Sequence, residues 1–155
     1  NPVYTSLGYN WRMSSITAAL GLSQLDKIEK MISMRRKNAQ YLSSKLKKFK
    51  QIRLHSEPTG YKHVYQLYSI LLPNSKIRAK LMSFLALKGI MSKIFFEPVH
   101  KTMFFKKIGY GTQNLPNTEK ISGQILSLPM FPGLQSEELN YMVDSISEFF
   151  EHTDK

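Results

Sequence analysis

The chain has 155 residues, of which 42% are hydrophobic and 21% are charged, and its formal net charge is +11. These values are typical of one globular domain that buries its own core, and they exclude a disordered chain. The absence of cysteine excludes disulfides, Cys-ligated zinc and thiol nucleophiles.

The positive charge is concentrated in residues 27–53, which hold ten basic side chains and one acid, Glu29. A basic surface favours phosphate-bearing partners such as nucleotides, phosphorylated cofactors or nucleic acid, and the alternative is a lysine-rich helix face in solvent. No apolar run approaches the ~20 residues that span a bilayer, so we expect no membrane partner. Because the chain begins with Asn1-Pro2 rather than Met, we expect a piece of a longer protein.

A single long helix is predicted over residues 14–49, with Ser14 or Ser15 as its N-cap. Its buried stripe recurs at intervals of three and four residues and consists of Leu25, Ile28, Ile32, Arg35, Ala39, Leu42, Leu46 and Phe49. Arg35 interrupts this apolar stripe. It either reaches solvent or meets a carboxylate on something packed over the helix.

Short strands and helices are predicted to alternate along the rest of the chain. β-branched and aromatic content predicts strands within 51–54 and at 64–72 and 90–97. Helices are expected at 75–88 with Gly89 after the last turn, at 102–107, from an Asn117 cap to about 126, and at 136–150. This order predicts an α+β fold (an α/β sandwich), with a small, mostly antiparallel sheet covered by helices.

Three stretches carry a more specific pattern. The first is "LGYNWRMSSITAALGLSQLDKIEKMISMRRKNAQYL", and the others are "GIMSKIFFEPVH" and "NLPNTEKISGQILSLPMFPGL". Together they resemble, in the same order, the C-terminal part of the DegT/DnrJ/EryC1/StrS sugar aminotransferases, which are fold-type I enzymes that use pyridoxal 5′-phosphate (PLP). The matching residues of the first stretch are Gly8, Asn10, Arg12, Met13, Ala18, Ala19, Gly21, Gln24, Leu25, Arg35, Arg36, Ala39 and Tyr41.

The resemblance implies that residues 1–155 form one C-terminal small domain of such an enzyme. Residues 1–13 would be an active-site and interface turn, 14–49 a long interface helix, and 50–155 the α+β sandwich. The large domain with the PLP-binding lysine is expected upstream, so this chain holds no catalytic residue and is expected to be inactive alone. Lys88 follows Ser83 at a superficially suggestive spacing, but it lies at a predicted helix C-terminus, where a charged lysine is favoured.

The resemblance also implies roles for individual side chains. Asn10 would donate its amide to the cofactor phosphate of the neighbouring subunit, and capping a turn is the alternative. Arg12 would face the diphosphate of a nucleotide sugar or form an ion pair across the interface. His100 would bond a sugar hydroxyl or the carboxylate of the amino donor. Phe96, like Phe95, stands where relatives often show Tyr, and it is assigned to the substrate pocket.

The implied reaction moves an amino group from glutamate to a nucleotide-linked keto-sugar, for cell-surface polysaccharide or deoxyaminosugar biosynthesis. PLP is the implied cofactor, a homodimer with shared active sites is the implied assembly, and the cytoplasm is the expected location; no metal is expected. Two other interpretations stay open. One is a basic nucleic-acid-binding module, disfavoured because no common RNA-binding motif is present; the other is a non-catalytic dimerising remnant.

Overall fold

The structure is a computed structural model that describes residues 6–153, with side chains to residue 151. The helices are α1 (Ser15–Leu25), α2 (Ile28–Leu46), α3 (Ser75–Leu87), α4 (Met103–Lys107), α5 (Pro116–Gln124) and α6 (Ser136–Thr153). The strands are β1 (Arg53–Leu54), β2 (Tyr68–Leu71) and β3 (Ile125–Leu128), and 3₁₀ turns occupy Val99–Lys101 and Tyr110–Thr112. No helix within residues 6–153 is long and apolar enough to cross a bilayer.

The three strands form one antiparallel sheet in the order β1-β2-β3, which confirms the predicted fold class. Side chains alternate between the two faces of a strand, so Tyr68 and Ile70 of β2 enter the core while Ser69 and Leu71 lie on the opposite face. The largest fully buried side chains come from α2, α3, α6, the strands β2 and β3, and the residue directly after β2: Leu42, Leu46, Ile70, Leu72, Leu81, Leu85, Leu126 and Ile146. The core therefore lies between one sheet face and these helices.

The prediction of one helix over 14–49 is wrong, because a turn at Asp26 and Lys27 separates α1 from α2. The Lys27 N–H donates to the carbonyl of Gln24, three residues back, instead of continuing the four-residue ladder. Leu25 and Ile28, assigned to the buried stripe, are 61% and 42% exposed. No residue of α1 is buried, so the core does not hold α1 in line with α2.

Two strand predictions also need correction. The strand predicted at 64–72 shrinks to β2, because Tyr65 has a left-handed backbone with φ 47° that cannot continue a strand. The segment 90–97 makes only one bridge, between Lys93 and Ser127, and is not a strand.

The helix predictions have mixed outcomes. The helix predicted from an Asn117 cap begins at Pro116 without a side-chain cap. It ends at Gln124, because the next residues form β3 and pair with β2. The helices α3, with Gly89 at φ 75°, and α6 are confirmed.

A bidentate ion pair holds the segment that leads from β1 to β2. The guanidinium of Arg36 on α2 donates to both carboxylate oxygens of Glu57, at 2.6 and 2.9 Å. Arg36 also donates to the carbonyl of His63 at 2.7 Å, and the His63 N–H donates to Glu57 at 2.7 Å. These four hydrogen bonds fix residues 57 and 63 against α2. The bonds to the carboxylate also lower the pKa of Glu57 to about 2, first through Arg36 and then through the His63 N–H.

The low pKa of Glu57 predicts an acid-dependent contribution to stability. A carboxyl group with a folded-state pKa below its ordinary value stabilises the fold above that ordinary value and loses the contribution as the pH falls. We expect the free energy of unfolding of the wild type to exceed that of Glu57→Gln near neutral pH. The difference should shrink as the pH falls from 4.5 to about 2. Urea unfolding of both proteins across this range measures it, and parallel curves would contradict the prediction.

Candidate functional site

The segment 6–14, here called the arm, brings Asn10 and Arg12 together at the surface. The Nε–H of Arg12 donates to Oδ1 of Asn10 at 2.9 Å, and both side chains are exposed. The arm ends where Ser14 caps α1, since its Oγ accepts the N–H of Thr17 at 3.2 Å. Ser14 is one of the two N-cap residues predicted for this helix.

The hydrogen bond between Arg12 and Asn10 leaves mostly N–H donors of the two side chains facing solvent. Because Oδ1 of Asn10 already accepts from Arg12, the two N–H groups of the Asn10 amide stay available. The terminal nitrogens of Arg12 have no partner within residues 6–153, so they add further donors and a positive charge. A set of donors with no competing carboxylate suits a phosphate, which the family resemblance implies for Asn10 and gives as one of two alternatives for Arg12.

The arm and α1 also expose an unusual amount of apolar surface. Tyr9 and Trp11 stack with ring centroids 5.2 Å apart, yet they are 73% and 87% exposed. Further large exposed side chains follow along the arm and α1: Leu7, Met13, Ile16, Leu20, Leu22 and Leu25. Apolar surface of this extent on one continuous segment is characteristic of a contact surface.

His100, predicted to face substrate, has an internal partner in this structure. Its side chain is buried, and Nε2 lies 3.1 Å from Oε1 of Glu119 on α5. The ammonium of Lys101 donates to the other oxygen of Glu119 at 2.6 Å. These two contacts, led by that of Lys101, lower the pKa of Glu119 to about 2. Glu119 thereby ties the 3₁₀ turn Val99–Lys101 to α5.

Phe96 is 72% exposed and lies beside Phe95, with ring centroids 5.0 Å apart. Its carbonyl accepts the hydroxyl of Ser122 at 3.2 Å. Within residues 6–153, no hydrogen bond, ion pair or ring contact joins Phe96 or His100 to the Asn10–Arg12 pair. The structure thus brings together two of the four predicted site residues and leaves the other two apart from them.

Lys88, singled out in the sequence for its spacing from Ser83, is paired with an acidic residue of α6. Lys88 donates from Nζ to both carboxylate oxygens of Glu148, at 2.8 and 2.7 Å, so it is a charged partner of α6. In the described part of the chain, no group of three His, Cys, Asp or Glu side chains is arranged to hold a metal ion.

A cluster of rings that the sequence did not reveal lies before β2. The His55 and His63 rings are 4.8 Å apart between centroids, and Tyr65 stacks obliquely on His63 at 4.3 Å. His63 Nδ1 accepts the backbone N–H of Tyr65 at 2.9 Å. One signal was present, because His55 follows β1 and His63 precedes β2, and antiparallel strands place these two ends together.

The ring cluster lines a cleft of about 750 Å³ on the sheet face that points away from the core. Its walls include residues of all three strands, the segment 63–67 and Ile121 of α5. A volume of this size is within the range of small-molecule sites. Desolvation and the neighbouring His55 lower the pKa of His63, so its ring is neutral at physiological pH.

Comparison with known proteins identifies the family. A sequence profile of the DegT/DnrJ/EryC1/StrS aminotransferase family matches residues 1–147. The chain is 34% identical over 145 residues to GDP-perosamine synthase of Escherichia coli O157:H7, covering 93% of this chain and 38% of that protein.

Solved structures share the fold. Helicobacter pylori PseC, an aminotransferase involved in the biosynthesis of pseudoaminic acid, superposes with a TM-score of 0.84 at 25% identity. The PLP form of the putative sugar aminotransferase Spr1654 from Streptococcus pneumoniae also gives a TM-score of 0.84, at 22% identity. Each alignment covers 96% of this chain but 40% and 38% of the other chain, respectively. The chain thus spans about two fifths of the length of the proteins it matches. It belongs to the DegT/DnrJ/EryC1/StrS aminotransferase family.

Proposed function

We propose that this chain is the C-terminal part of a PLP-dependent aminotransferase that transfers an amino group from glutamate to a nucleotide-linked keto-sugar. The observation that carries the proposal is the exposed Asn10–Arg12 pair, which presents mostly donors in a chain whose family is that of aminotransferases. The names of two similar proteins, a GDP-perosamine synthase and an enzyme of pseudoaminic acid biosynthesis, support a sugar as acceptor.

In this proposal PLP supplies the electron sink that amino transfer requires. Asn10 holds a phosphate oxygen through its amide N–H groups, while Arg12 both fixes the orientation of that amide and adds positive charge. Phe96 contributes an exposed apolar wall to the substrate pocket. His100 acts as a positioning residue, because its bond to Glu119 holds the turn after Pro98 against α5. The lysine that binds PLP lies in the part of the enzyme upstream of residue 1.

The exposed surface of the arm and α1 supports a homodimer in which each subunit completes the site of the other. Leu20 and Leu22 are 63% and 66% exposed on a helix that buries no residue. A Cβ added at Gly21 between them would meet nothing within 4 Å in the described part of this chain. Glycine inside a helix costs about 1 kcal/mol relative to alanine, so a closely packed partner helix explains its use here.

Borohydride reduction of the longer protein, purified with PLP, tests the amino-transfer proposal. We expect one pyridoxyl group per chain, detected by intact mass and mapped to a lysine upstream of residue 1. The 155-residue chain treated in the same way should remain unlabelled, because Nζ of Lys88 is bonded to both carboxylate oxygens of Glu148. Absence of the adduct from the longer protein would overturn the enzyme proposal in favour of a dimerising remnant.

Replacing Asn10 tests its contact with the cofactor phosphate. Asn10→Ala removes a hydrogen bond to a charged group, so PLP should bind the longer protein about tenfold more weakly. Asn114→Ala, at an exposed loop position, serves as the matched control and should leave the affinity unchanged. Titration of the apoenzyme with PLP measures both, and equal affinities would assign Asn10 to the turn alone.

A charge on α1 tests the interface. Leu22→Glu should weaken the dimer of the longer protein by at least about tenfold, because the carboxylate would be buried without a partner. Leu87→Glu places the same charge on α3, where Leu87 is 88% exposed, and should leave the dimer intact. Sedimentation velocity over a concentration series separates the two. Dissociation by both variants, or by neither, would contradict an interface on α1.

A further inference from the structure

The cleft beside the sheet is lined by cationic and imidazole groups whose placement follows from the strand register. Arg53 of β1 pairs with Leu71 of β2, and Leu71 pairs with Ile125 of β3. Residues directly opposite each other in a sheet lie on the same face, so Arg53 lies on the cleft face together with Leu71 and Ile125. Arg53 is exposed and has no ion-pair partner within residues 6–153.

His63 presents one hydrogen-bond donor in a defined orientation. Because Nδ1 accepts the Tyr65 N–H, the neutral ring must carry its proton on Nε2. A second proton on Nδ1 would place two N–H groups face to face, so this hydrogen bond keeps the ring neutral. In the described part of the chain, no acceptor is bonded to Nε2 of His63.

The backbone around His63 is strained at Tyr65 and held in place by the Arg36–Glu57 ion pair. Tyr65 has a φ of 47°, a conformation that is strained for a bulky residue. The Arg36–Glu57 pair bonds the backbone of His63 on both sides, through its carbonyl and its N–H. Strain held in place by such bracing is characteristic of sites that orient a group for binding.

The electrostatics of the cleft favour an anion. No acidic residue is among those that line it. A second cleft of about 510 Å³ shares Arg53 with it and adds Lys50 and Lys120, also without an acidic residue in its walls. Glu57, the carboxylate of the neighbouring segment, is already neutralised by Arg36. Cations that line adjoining concave surfaces reinforce each other's attraction for negative charge.

We propose that the cleft bounded by Arg53, His55 and His63 binds the phosphate or carboxylate group of a small molecule. Arg53 supplies the charge and a planar fork of donors, His63 supplies the Nε2–H, and the exposed ring of His55 forms one wall. The site is distinct from the Asn10–Arg12 pair and uses other residues. It does not rest on the proposed amino transfer, because anion binding can be measured without a cofactor.

Histidine ring signals of the 155-residue chain test the proposal, since its four histidines include two in the cleft and one, His100, that is buried elsewhere. With 13C-labelled histidine, inorganic phosphate and glutarate are titrated separately at constant ionic strength. We expect the His55 and His63 signals to move together along a saturating curve while the His100 signal stays in place. Saturation by phosphate alone identifies a phosphate group as the ligand chemistry, and saturation by glutarate alone identifies a carboxylate.

Two charge-matched variants distinguish the cleft from general attraction to a basic protein. Arg53→Gln should weaken the binding of the saturating anion about tenfold, because a charge-assisted hydrogen bond is lost. Lys47→Gln removes the same charge at an exposed position outside the cleft and should change the affinity less than about twofold. Arg53→Lys should recover part of the affinity. Equal losses in Arg53→Gln and Lys47→Gln, or shifts that grow without saturating for both anions, would overturn the proposal.

Discussion

The register of β2 between β1 and β3 is the constraint on which both the core and the cleft depend. Tyr68 and Ile70 must face the helices, because Ile70 is fully buried and the Tyr68 hydroxyl bonds Ser43 of α2 at 2.9 Å. Burial raises the pKa of Tyr68 to about 12. A slip of one residue would place Ser69 in the core and Ile70 in solvent, since the side-chain period of a strand is two. The same register aligns Arg53 with the cleft face.

Helix α2 links this sheet to the polar segment before β2. Leu42 and Leu46 pack in the core, while Arg36, further toward the N-terminus of the helix, bonds Glu57 and His63. The same helix therefore packs against the core and holds the backbone of His63 beside the cleft. The inward side of α2 also carries polar groups that bond distant segments, since the buried amide of Asn38 donates to the carbonyl of Phe131 at 3.1 Å.

The arm and α1 have the opposite character, because they contribute donors and apolar surface without a core of their own. Asn10 and Arg12 orient each other, but Leu22 and Trp11 remain exposed. Burial of apolar surface stabilises by about 25 cal/mol per Å². Covering the apolar surface of the arm and α1 with a second subunit would therefore stabilise a dimer. In the proposed dimer this contact places the Asn10 amide at the site of the neighbouring subunit.

Short-range signals in the sequence were sufficient for several parts of this protein. Gly89 marked the end of α3, and Ser14 was one of two candidates for the start of α1. The roles of Asn10 and Arg12 came from the family resemblance of the stretch that contains them. His100 was singled out as well, but its partner Glu119 is 19 residues away, and only the folded chain brings them together. The kink at Lys27 escaped the prediction because the apolar period continues across it.

The amino-acid sequence by itself determined the family, through its three motif stretches, and the fold class, through the order of its elements. It also determined most of the helices, because helical hydrogen bonds and caps join residues three or four positions apart. The tertiary structure alone decided that β3 is a strand and that 90–97 is not, since strand pairing depends on which distant segment is adjacent. It also decided the cleft. Pairing of β1 with β2 brings His55 next to His63, and Arg36 of α2 bonds the His63 carbonyl. These contacts join residues that are distant along the chain, so no short-range pattern predicts them.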